Sequence, residues 1–328
     1  MALMTYRDAL NLALKEEMRR DPSVVLWGED VALYEGSFKV TRGLLTEFGE
    51  DRVKDTPISE NTIVGVAIGA AMGGLRPVAE LMTVNFALLA MDQIINHMTK
   101  IRYMFGGQTH LPMVIRAPGG GGSQLAAQHS QSLETYFMHA PGMYVAVPAT
   151  PADAKGLLKS AIRDSNPVMF LEHELLYNSK GEVPEDPEFL VPLGSSEVKR
   201  EGTDVTIVGY SRMTILALQA ADELENEGVS CEVVDLRTLS PLDAETILRS
   251  VRKTCRAVVV EECWRTCGLG AEIASRIYEG CFDSLRVPVR RVSGLDVPMP
   301  YSRKLEKLCI PQVEDIASAV KELLSERY

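Results

Sequence analysis

The sequence predicts an α/β protein built of two doubly wound domains. Short β-branched runs alternate with longer helical patterns, an acidic and proline-rich stretch interrupts the alternation, and the alternation then resumes to the carboxyl end. The expected boundaries are residues 1–178 for the first domain, 179–202 for a linker and 203–328 for the second domain.

Taken in order, Thr5 followed by Asp8 reads as a capping-box start for a helix that ends near Asp21 and Pro22. Residues 24–27 read as a strand, 28–36 as a loop rich in glycine and acids, and 41–48 as a helix. The block Asp55-Thr-Pro-Ile-Ser-Glu60 then opens an apolar segment, residues 62–74, with no polar face and with Gly65, Gly69 and Gly73 one helical turn apart. Helical spacing lines those glycines along one stripe that another backbone can approach closely. A membrane span needs about 20 apolar residues. This run is shorter, so the expected helix is buried in a protein interior or at a subunit interface. Glu60 enters that dry place, where a carboxylate is costly unless paired and where proton chemistry tends to be found.

Residues 77–82 form the next expected strand, 87–104 a long helix, 112–116 a buried strand, 119–122 a flexible glycine loop and 144–147 another strand. At Thr150-Pro151-Ala152-Asp153 a cap, a proline at the first helical position and a first-turn acid agree, predicting a helix to about Asp164 before a strand over 168–172. The linker holds Pro184, Pro187 and Pro192 among Glu182, Glu185, Asp186 and Glu188 without sustained periodicity. Beyond it, strands are expected at 205–208, 230–234, 257–260 and 287–292, and helices at 214–227, 243–251, 270–279 and 313–325.

A composition of 46% hydrophobic and 24% charged residues is that of ordinary folded protein, and a formal charge of −11 with no basic run argues against nucleic acid or an anionic membrane as partner. The amino end lacks a signal-peptide core, so the expected compartment is the cytoplasm, or an organelle after removal of a transit peptide. All six cysteines follow residue 230, and Cys263 and Cys267 have the wrong spacing for a redox or zinc knuckle, so they read as reduced thiols, mostly buried. No G-x-G-x-x-G, Walker lysine motif or G-x-S-x-G occurs, and the five histidines show no paired helical spacing.

Three residues remain with a chemical use. Glu60 is either a first-turn acid that Ser59 helps to cap or a proton-handling carboxyl. His129 stands in the polar cluster Ala126-Ala-Gln-His-Ser-Gln131 just after the glycine loop, either structural or placed to meet a substrate. Phe86, after the carboxyl end of the second expected strand at residues 77–82, is either core or a ring where ligands of parallel sheets bind.

The blocks Asp55-Thr-Pro-Ile-Ser-Glu60, Glu80-Leu-Met-Thr-Val-Asn-Phe86, Ala126-Ala-Gln-His-Ser-Gln-Ser132, Asp153-Ala-Lys-Gly-Leu-Leu158 and Asp296-Val-Pro-Met-Pro-Tyr301, in this order, resemble the E1 β family of thiamine-diphosphate 2-oxoacid dehydrogenases. The resemblance spans nearly the whole chain. It implies a transketolase-like pyrimidine-binding domain followed by a transketolase C-terminal-like domain, the latter serving assembly and E2 docking. It also implies a heterotetramer with an E1 α subunit, which holds the cofactor's diphosphate and Mg2+. The Gly-Asp-Gly motif for that half-site, with its later pair of asparagines, is absent here.

Carried over residue by residue, the resemblance places Glu60 on the aminopyrimidine nitrogen of thiamine diphosphate and Phe86 against that ring. A carboxyl sharing a proton there in a dry site stabilises the imino tautomer, which can then act as the internal base. His129 is implied to orient or protonate substrate and to help transfer the acyl group to the lipoyl arm of E2. A K+ site formed largely by backbone carbonyls maps to Met113, Ala161, Ile162, Asp164 and Asn166, where a plain helix end is the bland alternative. The expected substrate is pyruvate, with acetoin and branched-chain 2-oxoacids as rivals within the family. Some members carry an aspartate just before the strand at Val287; this chain has Arg286 near that place, which departs from docking through one acid.

Overall fold

The computed structural model describes residues 1–326; Arg327 and Tyr328, the last two residues of the expected second domain, lie outside the described residues. The chain divides into two compact units, one of residues 1–119 and 136–193, the other of residues 120–135 and 194–328.

The first unit runs β1 (Ala2–Thr5), α1 (Tyr6–Arg20), β2 (Val24–Gly28), α2 (Leu44–Phe48), β3 (Val53–Asp55), α3 (Glu60–Met72), β4 (Arg76–Glu80), α4 (Ile101–Met104) and β5 (Val114–Gly119). After residues 120–135 it continues from within α5 (Glu134–Met138) through β6 (Tyr144–Ala146), α6 (Pro151–Arg163), β7 (Val168–His173) and β8 (Lys180–Val183). Its strands pair in the order β6-β7-β5-β4-β2-β3, all parallel, while β1 and β8 form a separate antiparallel ribbon. Burial on both faces explains why β2 reads as a continuous apolar run, while β5 and β7 are fully buried yet carry Arg116, Glu172 and His173 among their apolar residues. Both predicted caps form: the Thr5 hydroxyl accepts the Asp8 N–H at 3.1 Å and Thr150 accepts the Asp153 N–H at 3.2 Å.

The long helix expected over residues 87–104 is instead three pieces, a 3-10 segment at Val84–Ala90, a π-helix at Asp92–Met98 and the short α4. Side chains compete with the ladder there. Thr83 takes the Asn85 N–H, the Thr99 hydroxyl bonds the Ile95 carbonyl at 2.7 Å, and the Thr99 N–H reaches back five residues to Ile94. Within the expected linker, Lys180–Val183 and Glu197–Arg200 are strands, each too short to show a period in the sequence.

α1 and α6 meet through buried charge. Lys155 and Lys159 are wholly buried at an i, i+4 spacing, Lys155 Nζ lies 3.0 Å from Glu16, Lys159 pairs with the same carboxylate, and Arg163 lies 2.8 Å from Glu17. Such a cluster is marginal in net energy while intact, yet removal of one member strands the others without water.

The second unit contains β9 (Glu197–Arg200), β10 (Val205–Gly209), α7 (Arg212–Glu225), β11 (Cys231–Asp235), β12 (Thr238–Ser240), α8 (Ala244–Thr254), β13 (Ala257–Trp264), α9 (Leu269–Cys281), β14 (Arg290–Gly294), α10 (Arg303–Cys309) and α11 (Val313–Ser325). Its sheet order is β14-β13-β10-β11-β9, parallel except for β9. Ala217, Ala220 and Ala221 of α7 keep that helix close to Val205, Ile207 and Val233, and α11 adds Ile316, Val320 and Leu323 to the same core. The last strand begins three residues later than expected, since Pro288 has no N–H to enter the ladder. All six cysteines are free, with Cys231, Cys263, Cys281 and Cys309 buried. Among the described residues no helix is long and apolar enough to cross a membrane.

Replacing Lys159 by Ala is expected to destabilise the protein by about 3–5 kcal/mol, because buried Glu17 and half-buried Glu16 are left with less compensation. Denaturant unfolding measures this; a cost within about 0.5 kcal/mol would mean the cluster is not buried as described.

Candidate functional site

Parallel pairing delivers three loops to one edge of the first sheet. In register, Gly28 at the end of β2 stands opposite Asp55 of β3 on one side and Glu80 of β4 on the other. A Cβ at Gly28 would lie 2.4 Å from the Glu80 carbonyl oxygen, so only glycine permits that approach. Beyond this edge come Glu29 after β2, Glu60 after β3 and Phe86 after β4, at the carboxyl ends where open parallel sheets bind ligands.

Glu60 is the first residue of α3 and is 4% exposed. Ser59 does not cap the helix with its side chain; its hydroxyl bonds Thr62 at 2.8 Å. The capping account of this segment therefore loses its hydrogen bond. Beside Glu60 stands an acid that the sequence reading passed over. Glu29 is 6% exposed, its Oε1 is buried without a hydrogen-bond partner, and its pKa is raised by desolvation and then by the charge of Glu60. A carboxyl oxygen buried without a partner among the described residues suits a polar group of a ligand. The signal was the acid immediately after a strand in the loop at residues 28–36. Asp55 braces that loop by accepting the N–H groups of Ala32 at 2.7 Å and Leu33 at 3.1 Å.

Phe86 is half-buried and lies inside the 3-10 segment Val84–Ala90, not at a strand end: β4 stops at Glu80. Thr83 starts that turn and the Phe86 N–H bonds its carbonyl at 3.1 Å. Of the three glycines of the stripe, Gly65 and Gly69 lie on α3 and Gly73 caps its end; Gly65 faces the Gln93 side chain, with 3.4 Å between its added Cβ and Oε1, whereas Gly69 faces open space. Apolar side chains around this edge are uncovered, Ile58 at 82%, Leu89 at 67% and Val66 at 54% exposure.

His129 belongs to the other unit. It sits half-buried on residues 120–135, where Gly120, Gly122, Gln124 and Ala126 all have positive φ. The glycine run thus forms a sharply curled loop. Two carboxylates hold its backbone: Glu262, at the end of β13, accepts the Gly121 N–H at 2.7 Å and the Ser132 hydroxyl at 3.1 Å, and Glu306 of α10 accepts the N–H groups of Gly122 and Gln124 at 3.0 Å each. Sequence reading missed both acids, because their partners are backbone groups remote in the chain. Glu134, at the end of the loop, has a buried, unpartnered Oε2, and its pKa is pushed up to about 8 by burial and by the neighbouring charges of Glu262 and Glu261.

The residues mapped to a K+ site gather at the opposite, amino-terminal edge of the first sheet. Met113 precedes β5, Ala161 and Ile162 end α6, Asp164 caps it, and Asn166 precedes β7. Arg76 Nη1 donates to the carbonyls of Ile162 at 2.9 Å and Asp164 at 2.8 Å, and the Asp164 side chain accepts the Asn166 N–H at 2.7 Å. Each carbonyl oxygen carries two lone pairs, so the guanidinium leaves one on each for a cation.

The chain matches family models for the transketolase pyrimidine-binding domain over residues 2–180 and for the transketolase C-terminal domain over residues 194–316. The pyruvate dehydrogenase E1 component subunit beta of Rhizobium meliloti is 50% identical over 321 residues, covering 98% of this chain and 70% of that protein. That of Rickettsia felis is 50% identical over 320 residues, with 98% of each covered, and the mitochondrial subunit of Bos taurus is 49% identical over 326 residues, covering 98% of this chain and 91% of its own. A solved split-gene transketolase, described as an inactive beta4 tetramer, superposes with a TM-score of 0.80 at 28% identity over 99% of this chain and 100% of its own.

The raised pKa of Glu134 sets a pH dependence. The folded carboxyl keeps its proton up to about 8 while the unfolded one releases it near the usual 4.5, so this group's contribution to stability is complete below 4.5 and is lost as pH rises toward 8. Glu134→Gln is therefore expected to flatten that part of the decline in melting temperature and to melt above the unsubstituted protein at pH 8; an unchanged profile would place the carboxyl in water.

Proposed function

This chain belongs to the pyruvate dehydrogenase E1 β-subunit family, and on that premise we propose that it is the β half of an enzyme that decarboxylates pyruvate oxidatively and hands the acetyl group to the lipoyl arm of E2. The single observation that carries the proposal is the buried acid pair at the head of α3, Glu60 with Glu29, standing at the ligand-binding edge of a parallel sheet. Relatives that match over nearly the full chain are named as pyruvate dehydrogenase subunits, which favours pyruvate over acetoin or branched-chain 2-oxoacids.

When bound, thiamine diphosphate supplies the nucleophilic carbon and the electron sink for loss of carbon dioxide. Glu60 holds and returns a proton at the ring nitrogen of the aminopyrimidine, and the dryness of its site strengthens that hydrogen bond. Phe86 packs on the same ring and excludes water from one face. His129 orients the reacting acyl group and supports its transfer to the lipoyl sulfur. The diphosphate and its Mg2+ fall to an α subunit in an α2β2 assembly. Support comes from the missing Gly-Asp-Gly motif and from the uncovered apolar side chains Ile58, Val66 and Leu89 beside the site. The inactivity stated for the beta4 transketolase tetramer agrees with a β chain that holds only half a site. The carbonyls of Met113, Ala161, Ile162, Asp164 and Asn166 would hold K+ as a structural ion, those of Ile162 and Asp164 while also accepting Arg76 Nη1.

Purified alone, the chain is expected to leave pyruvate intact and to gain turnover on addition of a cognate α subunit, thiamine diphosphate and Mg2+; full activity without α would sink the half-site reading. In the reconstituted enzyme Glu60→Gln should lower turnover by about a hundred- to ten-thousand-fold with melting unchanged, and near-normal turnover would return Glu60 to a structural role. K+ should raise the melting temperature relative to choline at equal ionic strength, and equal melting curves would remove the ion.

A further inference from the structure

We propose that Glu306 is a positioning residue for His129, acting through the backbone of the glycine loop, and that Glu262 assists it. The inference rests on the role given to His129 above. Glu306 is 2% exposed on α10, and both its oxygens point at N–H groups: Oε1 accepts Gly122 and Gln124 at 3.0 Å each, and Oε2 accepts Gln124 at 3.2 Å. Neighbouring backbone N–H groups that converge in this manner bind an anion, and here the anion is the protein's own carboxylate. The curl that produces it runs against local preference, since Gln124 and Ala126 are non-glycine residues at φ +58° and +64°. Such a conformation persists only where its surroundings fix it.

A second contact fixes the same loop independently of charge. A Cβ on Gly121 would lie 2.7 Å from Ile310 Cδ1 and 3.0 Å from Met299 Cε, so the backbone of the loop rests directly on side chains following and preceding α10. The carboxylate of Glu262 closes the loop at its two ends, on Gly121 and Ser132, while Arg212 lies 3.4 Å from its other oxygen. Between these anchors the chain turns once more, with the His129 N–H on the Ala126 carbonyl at 3.4 Å. The backbone path to His129 is thus set by Glu306 at residues 122 and 124 and by Glu262 at residues 121 and 132. The two acids fix a backbone path that a loop of glycine and small polar residues would otherwise leave undetermined.

The consequence is a separable effect. Loss of the Glu306 charge should misplace His129 while leaving Glu60 and the decarboxylation it serves intact. In Glu306→Gln the amide nitrogen replaces one acceptor and confronts the Gln124 N–H. With the α subunit, thiamine diphosphate and Mg2+ present, two half-reactions are compared: decarboxylation read with an artificial electron acceptor, and acetyl transfer to a lipoyl domain. E306Q is expected to slow transfer at least tenfold and decarboxylation less than threefold; Glu306→Asp, which keeps the charge on a shorter arm, should fall between. His129→Ala should show the same split, and adding E306Q to it should change transfer no further.

Amide hydrogen exchange in the chain itself gives a readout independent of activity. Gly122 and Gln124 should exchange faster in E306Q, with the sheet of the second unit unchanged. Unchanged exchange at those amides, equal loss in both half-reactions, or additive effects of E306Q and H129A would overturn the assignment. A missing split in H129A alone would instead overturn the role given to His129, and the exchange result would still decide whether Glu306 holds the loop.

Discussion

Parallel pairing in register is the constraint on which the candidate site depends. With Gly28, Asp55 and Glu80 level across β3, β2 and β4, the three chains leave the sheet at one edge, and whatever follows each strand is gathered there whether or not the intervening helices resemble one another. Glu29, Glu60 and Phe86 are brought to this edge by strand order, since they are separated by tens of residues in the chain. The same rule sends the carbonyl loop around Asp164 to the far edge, since it precedes a strand.

Buried charge is used in two ways in this protein, and the contrast separates scaffold from site. In the α1–α6 cluster every acid has a cation within reach, and Arg116 in the middle of the first sheet is likewise held between Glu80 and Glu172, with the Tyr177 hydroxyl 2.7 Å from Glu172. Such groups are compensated by opposite charge. Glu29 and Glu134 are different: each keeps a carboxylate oxygen buried without a partner, close to another carboxylate. Such an arrangement raises the cost of folding, a cost that a ligand or a neighbouring subunit would offset by supplying the missing partner.

Much of the architecture could be read from the sequence because local signals agreed with tertiary ones. Thr5 with Asp8, Thr150 with Pro151 and Asp153, and the apolar spacing from Val313 onward fixed helices whose caps and buried faces are found in place. The segment 84–104 failed the same reading: its composition favours a helix, but Thr83 and Thr99 spend their hydroxyls on nearby backbone and divert the ladder into 3-10 and π turns. Glu60 was singled out by its apolar context, a local signal. Glu306 and Glu262 carry no local signal at all. Each binds backbone N–H groups more than a hundred residues away, and any sequence offers those groups everywhere.

The loop that bears His129 lies, by chain order, inside the segment matched by the pyrimidine-binding family model, yet its backbone is gripped by residues of the second unit. Genetic boundaries and physical boundaries therefore part company at residues 120–135. A chimera joined near residue 193 would inherit its loop from one parent and the carboxylates that shape it from the other. Exchange of domains among relatives has to move the loop with its two acids, and divergence at Glu262 or Glu306 in one lineage becomes a barrier to recombination even where every site residue is shared.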